Sequence, residues 1–263
     1  MTAAAARPAL HFPIHKAPSK TLQLLELRAF SEFGTALALL PLLRRAPRGD
    51  GHPLLVLPGL IASDLSTRPL RSYLADRGYD VHGWGLGRNM GLRPGIESKL
   101  KARLREIRRE SGRKVSIVGW SLGGVFAREI ASAVPDAVRS VITLGSPIRG
   151  NPRSTNAWRV YELASGQSVD DPKLRRPRDT APPVPTTSIY SRTDGIVAWQ
   201  CSVEAASDHT ESIEVMSSHL GLGVNASVLY AVADRLAQPE GHWQPFERSG
   251  LRSFVFPDPG RPA

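Results

Sequence analysis

Hydrophobic and polar residues alternate along residues 53–237 in a pattern typical of short strands, most of them followed by a helix. Six short apolar runs predict strands at 54–57, 79–82, 115–118, 138–144, 187–190 and 213–216. Apolar residues at helical spacing predict helices at 69–76, 95–110, 122–134 and 224–236. Strands that alternate with helices build a mainly parallel sheet, so we expect an α/β fold with helices on both faces of that sheet.

Changes in composition divide the chain into parts. A basic, turn-rich connector at residues 44–51 separates an N-terminal extension, residues 1–47, from the α/β domain that we predict for residues 48–238. Residues 148–185 interrupt the alternation of strands and helices and are rich in proline, which predicts a cap or lid insertion. Residues 239–263 form a proline-rich C-terminal tail.

The N-terminal extension contains a strongly apolar stretch, residues 21–43, for which we predict a helix. Its uncharged part is shorter than the roughly 20 residues that span a bilayer, and charged residues interrupt it further. Two alternatives remain for this helix. It packs against the core of the α/β domain, or it makes the protein a peripheral membrane protein, with Arg44, Arg45 and Arg48 near anionic head groups.

Composition and charge narrow the classes of partner. The 263 residues carry a formal net charge of +10 and a single cysteine, which cannot form an internal disulfide. Residues 1–20 lack the pattern of a secretory signal, and we expect a cytoplasmic protein. The densest basic run, residues 99–113, is interleaved with glutamates and has apolar residues at helical spacing, which predicts a solvated helix face. No nucleic-acid-binding motif accompanies it, so we expect no nucleic-acid partner.

Neither a cofactor nor a metal is expected. Residues 221–226 match the dinucleotide fingerprint G-x-G-x-x-A, but they lie too near the end of the chain for the strand and acidic residue that complete such a site. The seven histidines show no metal-ligand spacing, and a single cysteine cannot build a zinc site.

Residues 119–123, Gly-Trp-Ser-Leu-Gly, match the pattern G-x-S-x-G. They directly follow a predicted apolar strand and precede a predicted helix, which is the setting of a nucleophile elbow. A serine on such a sharp turn has a strained backbone, and the flanking glycines let the strand and the helix approach each other. We therefore predict that Ser121 is a nucleophile; the alternative is an idle serine in a glycine-rich turn.

A serine hydroxyl needs a histidine to take its proton and a carboxylate to orient that histidine. In a fold with a nucleophile elbow both follow the serine in the chain, the acid first. Asp194 comes just after the fifth predicted strand and His219 directly after the sixth, so both are expected at the sheet edge that carries Ser121. Asp208 lies in a polar stretch and His209 precedes the sixth strand, so neither is expected in the site.

Two backbone amides are expected to bind the oxyanion of a tetrahedral intermediate. The amide of Leu122 follows the nucleophile, and the amide of Leu60 lies in the turn after the first predicted strand. For the substrate pocket we predict one residue beside the nucleophile and three residues of the insertion that share one face of a short helix: Trp120, Trp158, Tyr161 and Leu163.

With these residues assembled, the chain resembles the α/β-hydrolase superfamily over about residues 53–237, and within it the bacterial lipase and esterase branch of triacylglycerol-lipase-like enzymes. Residues 143–150, Thr-Leu-Gly-Ser-Pro-Ile-Arg-Gly, are similar to the segment Thr-Leu-Gly-Thr-Pro-His-x-Gly of that branch. The chain departs from the branch at Ile148, where histidine is frequent, and at Pro58, where histidine often precedes the glycine. The resemblance implies an α/β-hydrolase fold and leaves the predicted triad intact, while the departures leave the substrate open.

The predicted function is that of a serine carboxylester hydrolase, an esterase or lipase that acts on a small-molecule or lipid ester through an acyl-enzyme. Two alternatives stay open. An acyltransferase would use the same residues and pass the acyl group to an alcohol or amine, and a non-catalytic protein would keep the fold as a binding scaffold. The sequence does not determine the ester, its acyl length or the oligomeric state.

Overall fold

Parallel strands form the centre of the protein. The computed structural model describes residues 15–171 and 180–258. Within these ranges the strands are β1 (Pro53–Leu57), β2 (Asp80–Gly83), β3 (Val115–Trp120), β4 (Val138–Leu144), β5 (Thr186–Tyr190) and β6 (Thr210–Glu214). They form one sheet in the order β2-β1-β3-β4-β5-β6, and every neighbouring pair is parallel. The predicted α/β fold is confirmed, and parallel pairing brings the ends of β3, β5 and β6 to one edge of the sheet.

Helices cover both faces of this sheet. Those in the described residues are α1 (Lys20–Leu24), α2 (Ala29–Ala38), α3 (Leu40–Leu43), α4 (Arg68–Asp76), α5 (Ile96–Ser111), α6 (Leu122–Ala133), α7 (Trp158–Ser165) and α8 (Ala226–Leu236). Successive side chains of a strand point to opposite faces. Leu54 and Val56 therefore pack in one apolar layer with α4 and α8, whereas Leu55 and Leu57 pack in the other with α5 and α6. None of the helices in the described ranges combines the length and the apolar character needed to cross a bilayer.

The charged helix α5 follows its sequence pattern closely. Leu100, Leu104 and Ile107 are buried, as their spacing predicts, and each such side chain contributes about 1.5–3 kcal/mol on burial. The outer face carries ion pairs one turn apart, such as Lys101 Nζ with Glu97 Oε1 at 2.7 Å. Gly112 ends the helix in the left-handed region at φ 67°. The basic run is thus a solvated helix face, as predicted.

The last strand lies three residues earlier than its predicted start. The sequence predicts a strand over 213–216, whereas β6 spans Thr210–Glu214 and is buried throughout. The strand contains two acidic residues, so its sequence is too polar to be recognised in full as a buried strand. Glu211 Oε1 accepts a hydrogen bond from Arg235 at 3.0 Å, and Glu214 Oε2 accepts one from Arg192 at 3.0 Å. Because each buried carboxylate has a guanidinium partner, a polar stretch forms a buried strand here.

The N-terminal helices pack against the α/β core on their inner side. Ala36 and Leu43 are buried in the apolar layer that also contains α8. Several large apolar side chains of the same segment nevertheless remain exposed, including Leu24 at 72%, Leu27 at 68% and Phe30 at 80%. The segment therefore packs on the core with its inner face, and contact of its exposed apolar side with a membrane stays a prediction.

The insertion and the C-terminal tail are only partly described. Within the predicted lid, α7 is a regular helix that ends at Gly166 in the left-handed region, and residues 172–179 lie outside the described residues. In the tail, Phe246 and Phe256 are each 3% exposed and pack edge to face with ring centroids 4.7 Å apart. This part of the tail therefore extends the core and does not trail away from it.

Candidate active site

Ser121 occupies the turn between β3 and α6. Its backbone has φ 54° and ψ −121°, which is strained for a residue with a side chain. Only one other non-glycine residue in the described ranges, Ile61, has positive φ. The Ser121 amide donates to the carbonyl of Leu144 at 2.8 Å, which anchors the turn to the end of β4. The serine of the G-x-S-x-G motif thus has the backbone geometry predicted for a nucleophile elbow.

The glycines of the motif have a steric cause that can be measured. A Cβ at Gly119 would lie 2.4 Å from the Cα of Gly124, and a Cβ at Gly123 would lie 2.4 Å from the carbonyl oxygen of Leu57. Both distances are well inside van der Waals contact, and the obstructing atoms are backbone atoms that cannot move aside. Only glycine lets β3, α6 and β1 meet at this point, as the motif predicts.

Asp194 lies in the turn that follows β5 and is 3% exposed. Its Oδ1 accepts the amides of Ile196 at 2.8 Å and Val197 at 2.7 Å. Its Oδ2 lies 2.6 Å from Nδ1 of His219. The turn amides fix one carboxylate oxygen, so the other is directed at the imidazole.

His219 follows β6 and begins a short 3₁₀ turn, Leu220–Gly223. Because Asp194 accepts at Nδ1, a neutral ring carries its proton there and presents Nε2 as an acceptor. Burial lowers the pKa of His219, but the negative charge and hydrogen bond of Asp194, together with the charge of Glu26, outweigh burial and raise the pKa above its usual 6.5. A paired imidazole of this kind is suited to accept and hold a proton.

The ends of β3, β4, β5 and β6 bring these groups together at one sheet edge. Gly145 directly follows Leu144, to which Ser121 is bonded, and a Cβ at Gly145 would lie 3.1 Å from both Asp194 Oδ2 and His219 Nδ1. Among the described contacts, Asp194 and His219 are hydrogen-bonded to each other, whereas Ser121 Oγ and His219 are not. Hydrogen bonds between a nucleophile and its base often tighten only when substrate binds.

The predicted oxyanion loop follows β1 and lies against the nucleophile. A Cβ at Gly59 would lie 3.3 Å from Cβ of Ser121. The buried side chain of Asn89 donates to the carbonyl of Pro58 at 2.8 Å, and the backbone carbonyl of Asn89 accepts the Ile61 amide at 2.6 Å, so this loop is held in place. Leu60 lies between these anchored residues, and Leu122 is the first residue of α6, where helix amides have no partner within the helix. Their role as oxyanion donors stays a prediction.

The four predicted pocket residues lie in different surroundings. Trp120 donates from Nε1 to the carbonyl of His219 at 3.1 Å, so it supports the histidine loop. On α7, Tyr161 packs against Gly91, and the ring of Trp158 is covered by the guanidinium of Arg159 at 4.6 Å.

Leu163 is 88% exposed, and the prediction that it shares a face with Trp158 and Tyr161 is wrong. A helix turns about 100° per residue, so positions two and five residues apart lie on different sides. Whether any of the four residues contacts an acyl chain stays a prediction.

A second Asp–His–Ser arrangement, absent from the sequence-based predictions, lies at the opposite edge of the sheet. Nδ1 of His52 lies 2.6 Å from Asp50 Oδ1, and Nε2 lies 2.9 Å from Ser116 Oγ. Both His52 and Ser116 are 0% exposed, so no substrate reaches them. Burial, aided by the charge of Arg139, outweighs the contact with Asp50 and lowers the pKa of His52 to about 4. This neutral histidine is a structural bridge between β1 and β3.

Two acidic residues of the N-terminal extension also contact the site and were not predicted from the sequence. Glu26 is 5% exposed, and its carboxylate accepts the amide of Gly195, which follows Asp194, and the amide of His219. Glu32 accepts the amide of Ser218 at 2.8 Å. The only signal in the sequence is that both acids interrupt an otherwise apolar helix.

Comparisons with known proteins agree with this architecture. Residues 52–171 match the family model described as alpha/beta hydrolase fold. Among solved structures, Aspergillus fumigatus lipase B is similar at a TM-score of 0.55 and 18% identity, covering 73% of this chain and 54% of that chain. The chain therefore spans about half the length of that lipase.

Two further solved structures are matched over most of their own length. The mature form of Bacillus licheniformis lipase BlEst2 has a TM-score of 0.53 and 18% identity, covering 72% of this chain and 92% of that chain. An α/β superfamily hydrolase from Oenococcus oeni PSU-1 has a TM-score of 0.51 and 17% identity, covering 71% of this chain and 91% of that chain. No curated protein matches the chain. With its six-stranded parallel sheet, this chain has the α/β-hydrolase fold, and residues 52–171 are similar to the family described by that model.

Proposed function

We propose that the protein is a serine carboxylester hydrolase, an esterase or lipase, in which Ser121, His219 and Asp194 act as a triad. One observation carries the proposal: a serine held at positive φ between a strand and a helix lies at the same sheet edge as a buried Asp–His pair. The similarity in fold to Aspergillus fumigatus lipase B and to lipase BlEst2 supports an ester substrate.

In the proposed reaction, Nε2 of His219 takes the proton of the Ser121 hydroxyl as its oxygen attacks the ester carbonyl. Asp194 holds the imidazole in the tautomer that this step needs and stabilises the imidazolium that forms. The amides of Leu122 and Leu60 bind the developing oxyanion. The imidazolium then gives its proton to the departing alcohol, and water, activated by the same histidine, releases the acid from Ser121.

Substitution of the three residues tests the proposal. We expect Ser121→Ala and His219→Ala each to lower kcat on p-nitrophenyl esters by about 10⁶-fold, because the members of a triad act as a unit. Asp194→Asn should lower it less, by roughly 10⁴-fold, since a misoriented imidazole keeps part of its function.

The control for these variants is His209→Ala. His209 directly precedes β6, so it lies at the opposite end of that strand from His219. This variant should keep the wild-type rate. A His209→Ala variant that is inactive beside an active His219→Ala would contradict the assignment. Adding an alcohol acceptor to the same assay separates hydrolysis from acyl transfer, because a transferase forms a new ester in place of free acid.

The outer face of the N-terminal helices supports the proposal that the protein binds its ester substrate at a lipid surface. Phe33 and Leu37 belong to this exposed apolar face and also line a groove of about 550 Å³ between the N-terminal helices and α4. Glu26 and Glu32 point inward, so the charges that this segment exposes are basic: Lys16, Lys20, Arg44, Arg45 and Arg48. Exposed apolar side chains flanked by basic ones suit an anionic membrane surface.

A further inference from the structure

The carboxylate of Glu26 contacts three backbone amides of the active-site loops. Its Oε1 accepts the amide of Gly195 at 2.7 Å and the amide of His219 at 2.9 Å. Its Oε2 accepts the amide of Leu220 at 2.8 Å. One side chain from the N-terminal extension therefore joins the turn that carries Asp194 to the loop that carries His219.

The backbone of His219 is fixed from both sides by side chains of other elements. Glu26 takes its amide, and Trp120 donates to its carbonyl at 3.1 Å. Neither contact is a backbone hydrogen bond of a helix or of the sheet, and together they fix the His219 backbone to two other parts of the chain. Trp120 adjoins the nucleophile in the chain, and Glu26 lies outside residues 52–171, which match the family model.

Neighbouring side chains extend the same contact. Glu32 accepts the amide of Ser218 at 2.8 Å and the hydroxyl of Ser217 at 2.6 Å. Arg28 donates to the carbonyl of Thr193 at 2.8 Å and bonds Glu32 at 3.1 Å. The extension thus holds the residues immediately before both Asp194 and His219.

A buried carboxylate is costly unless hydrogen bonds satisfy it, and three amides do so for Glu26. Removing such an acceptor leaves buried amides unpaired, so the loop must move or lose stability. A displacement of about 1 Å in a catalytic group can lower the rate about a hundredfold. A contact of this kind therefore affects turnover through position, without touching substrate.

We propose that Glu26 is a positioning residue of the active site, which holds the His219 loop against the Asp194 turn from the N-terminal extension. This inference rests on the proposed triad. It makes the extension a working part of the enzyme, since the α/β core alone leaves the amides of Gly195, His219 and Leu220 without this acceptor.

Glu26 also acts on His219 through its charge. The charged groups that face His219 and its loop are Asp194, Glu26 and, one residue away, Glu32 with its partner Arg28. The negative charge of Glu26 favours the imidazolium and so raises the pKa of His219, beside the larger effects of burial and Asp194. A neutral residue at position 26 should lower that pKa.

The test is Glu26→Gln in the full chain, assayed on a water-soluble p-nitrophenyl ester between pH 5 and 9. We expect kcat to fall roughly ten- to hundredfold with little change in KM, because the loop position is altered and the ester pocket is not. We also expect the acidic limb of the kcat/KM profile to move to lower pH, because it reports the pKa of the free histidine.

The matched control is Glu211→Gln. Glu211 is likewise buried and accepts a backbone amide, that of Phe246 at 2.8 Å, but it lies on β6 away from Ser121. Glu211→Gln should lower the melting temperature and leave kcat and the acidic limb as in the wild type. Equal kcat values and equal pH profiles for the two variants would overturn the inference.

Two further measurements keep the result interpretable. Glu26→Asp retains the charge but is too short to reach all three amides, so kcat should fall while the acidic limb stays in place; a wild-type kcat would count against positioning, even if Glu26→Gln does not fold. Labelling by a fluorophosphonate separates the two proposals. An unlabelled wild type refutes the triad, whereas a labelled wild type with equally fast labelling of Glu26→Gln refutes only the role of Glu26.

Discussion

Ser121 owes its backbone conformation to its neighbours more than to its own side chain. Glycines at 119 and 123 remove the side chains that would collide with the backbone of Gly124 and Leu57. The strain at φ 54° is therefore imposed by close packing of β1, β3 and α6. Because this requirement is local, the residues that meet it are visible in the sequence as G-x-S-x-G.

His219 and His52 each pair with an aspartate, but in different electrostatic surroundings. Both lie 2.6 Å from an aspartate. Asp194 and Glu26 raise the pKa of His219, whereas burial beside Arg139 lowers that of His52. His52 bonds a serine that no substrate can reach, so hydrogen-bond connectivity alone does not identify a triad.

The free energy of unfolding should depend on pH through the protonation of His52. Its pKa is about 4 in the folded protein and 6.5 in the reference state, so folding expels a proton between these values. The stabilisation is complete above pH 6.5 and is lost as the pH falls toward 4, about 3 kcal/mol in all. His219, with a raised pKa, acts in the opposite sense and only above pH 6.5.

His52→Gln should remove this slope, which urea unfolding between pH 4 and 7 would measure. The variant should also be less stable at pH 7 by about 1–3 kcal/mol, because Ser116 and Asp50 lose a partner. Hydrolysis of small esters at pH 8 should be unchanged. An inactive but folded His52→Gln variant, or one with the pH slope of the wild type, would show that this histidine has been misassigned.

The helices and strands differ in how much of their placement comes from local sequence. β3 is apolar apart from Ser116 and α5 has a regular apolar stripe, so both could be predicted from residues within the element. The start of β6 could not, because Glu211 is buried only with the help of Arg235 elsewhere in the chain. The contacts of Glu26 are even less predictable from local sequence, since its partners lie 169 to 194 residues away along the chain.

The N-terminal helices provide a direct test of lipid binding. We expect the protein to associate with vesicles that contain anionic phosphatidylglycerol at low salt. Phe30→Ser should weaken this association about tenfold or more, because Phe30 is 80% exposed on the outer apolar face and a buried phenylalanine contributes about 1.5–3 kcal/mol.

Phe254→Ser is the matched control, since Phe254 is 85% exposed on the C-terminal tail. Its vesicle binding should equal that of the wild type, and both proteins should dissociate as salt screens the basic residues. No association of the wild type with anionic vesicles at low salt would end the lipid-surface proposal. It would leave the esterase proposal in place.

The molecule as a whole combines an α/β-hydrolase fold with an N-terminal extension whose side chains bond the loops of the candidate active site. The motif and the positions of the strands, helices and loops of the α/β core were largely predictable, because each element carries its own sequence pattern. The link between the extension and the site was not predictable, since it consists of side chains that bond backbone amides of distant loops. If Glu26 positions His219 as proposed, activity will depend on residues 20–43 as well as on the α/β core.

Reaction with a fluorophosphonate tests the central claim most directly. Such a probe bonds covalently to a serine only when a base and an oxyanion site activate it. Intact-mass measurement and peptide mapping should find one label per chain in the wild type, located on Ser121, and none in Ser121→Ala. Labelling that persists in Ser121→Ala, or that maps to another residue in the wild type, would contradict the assignment of Ser121 as the nucleophile.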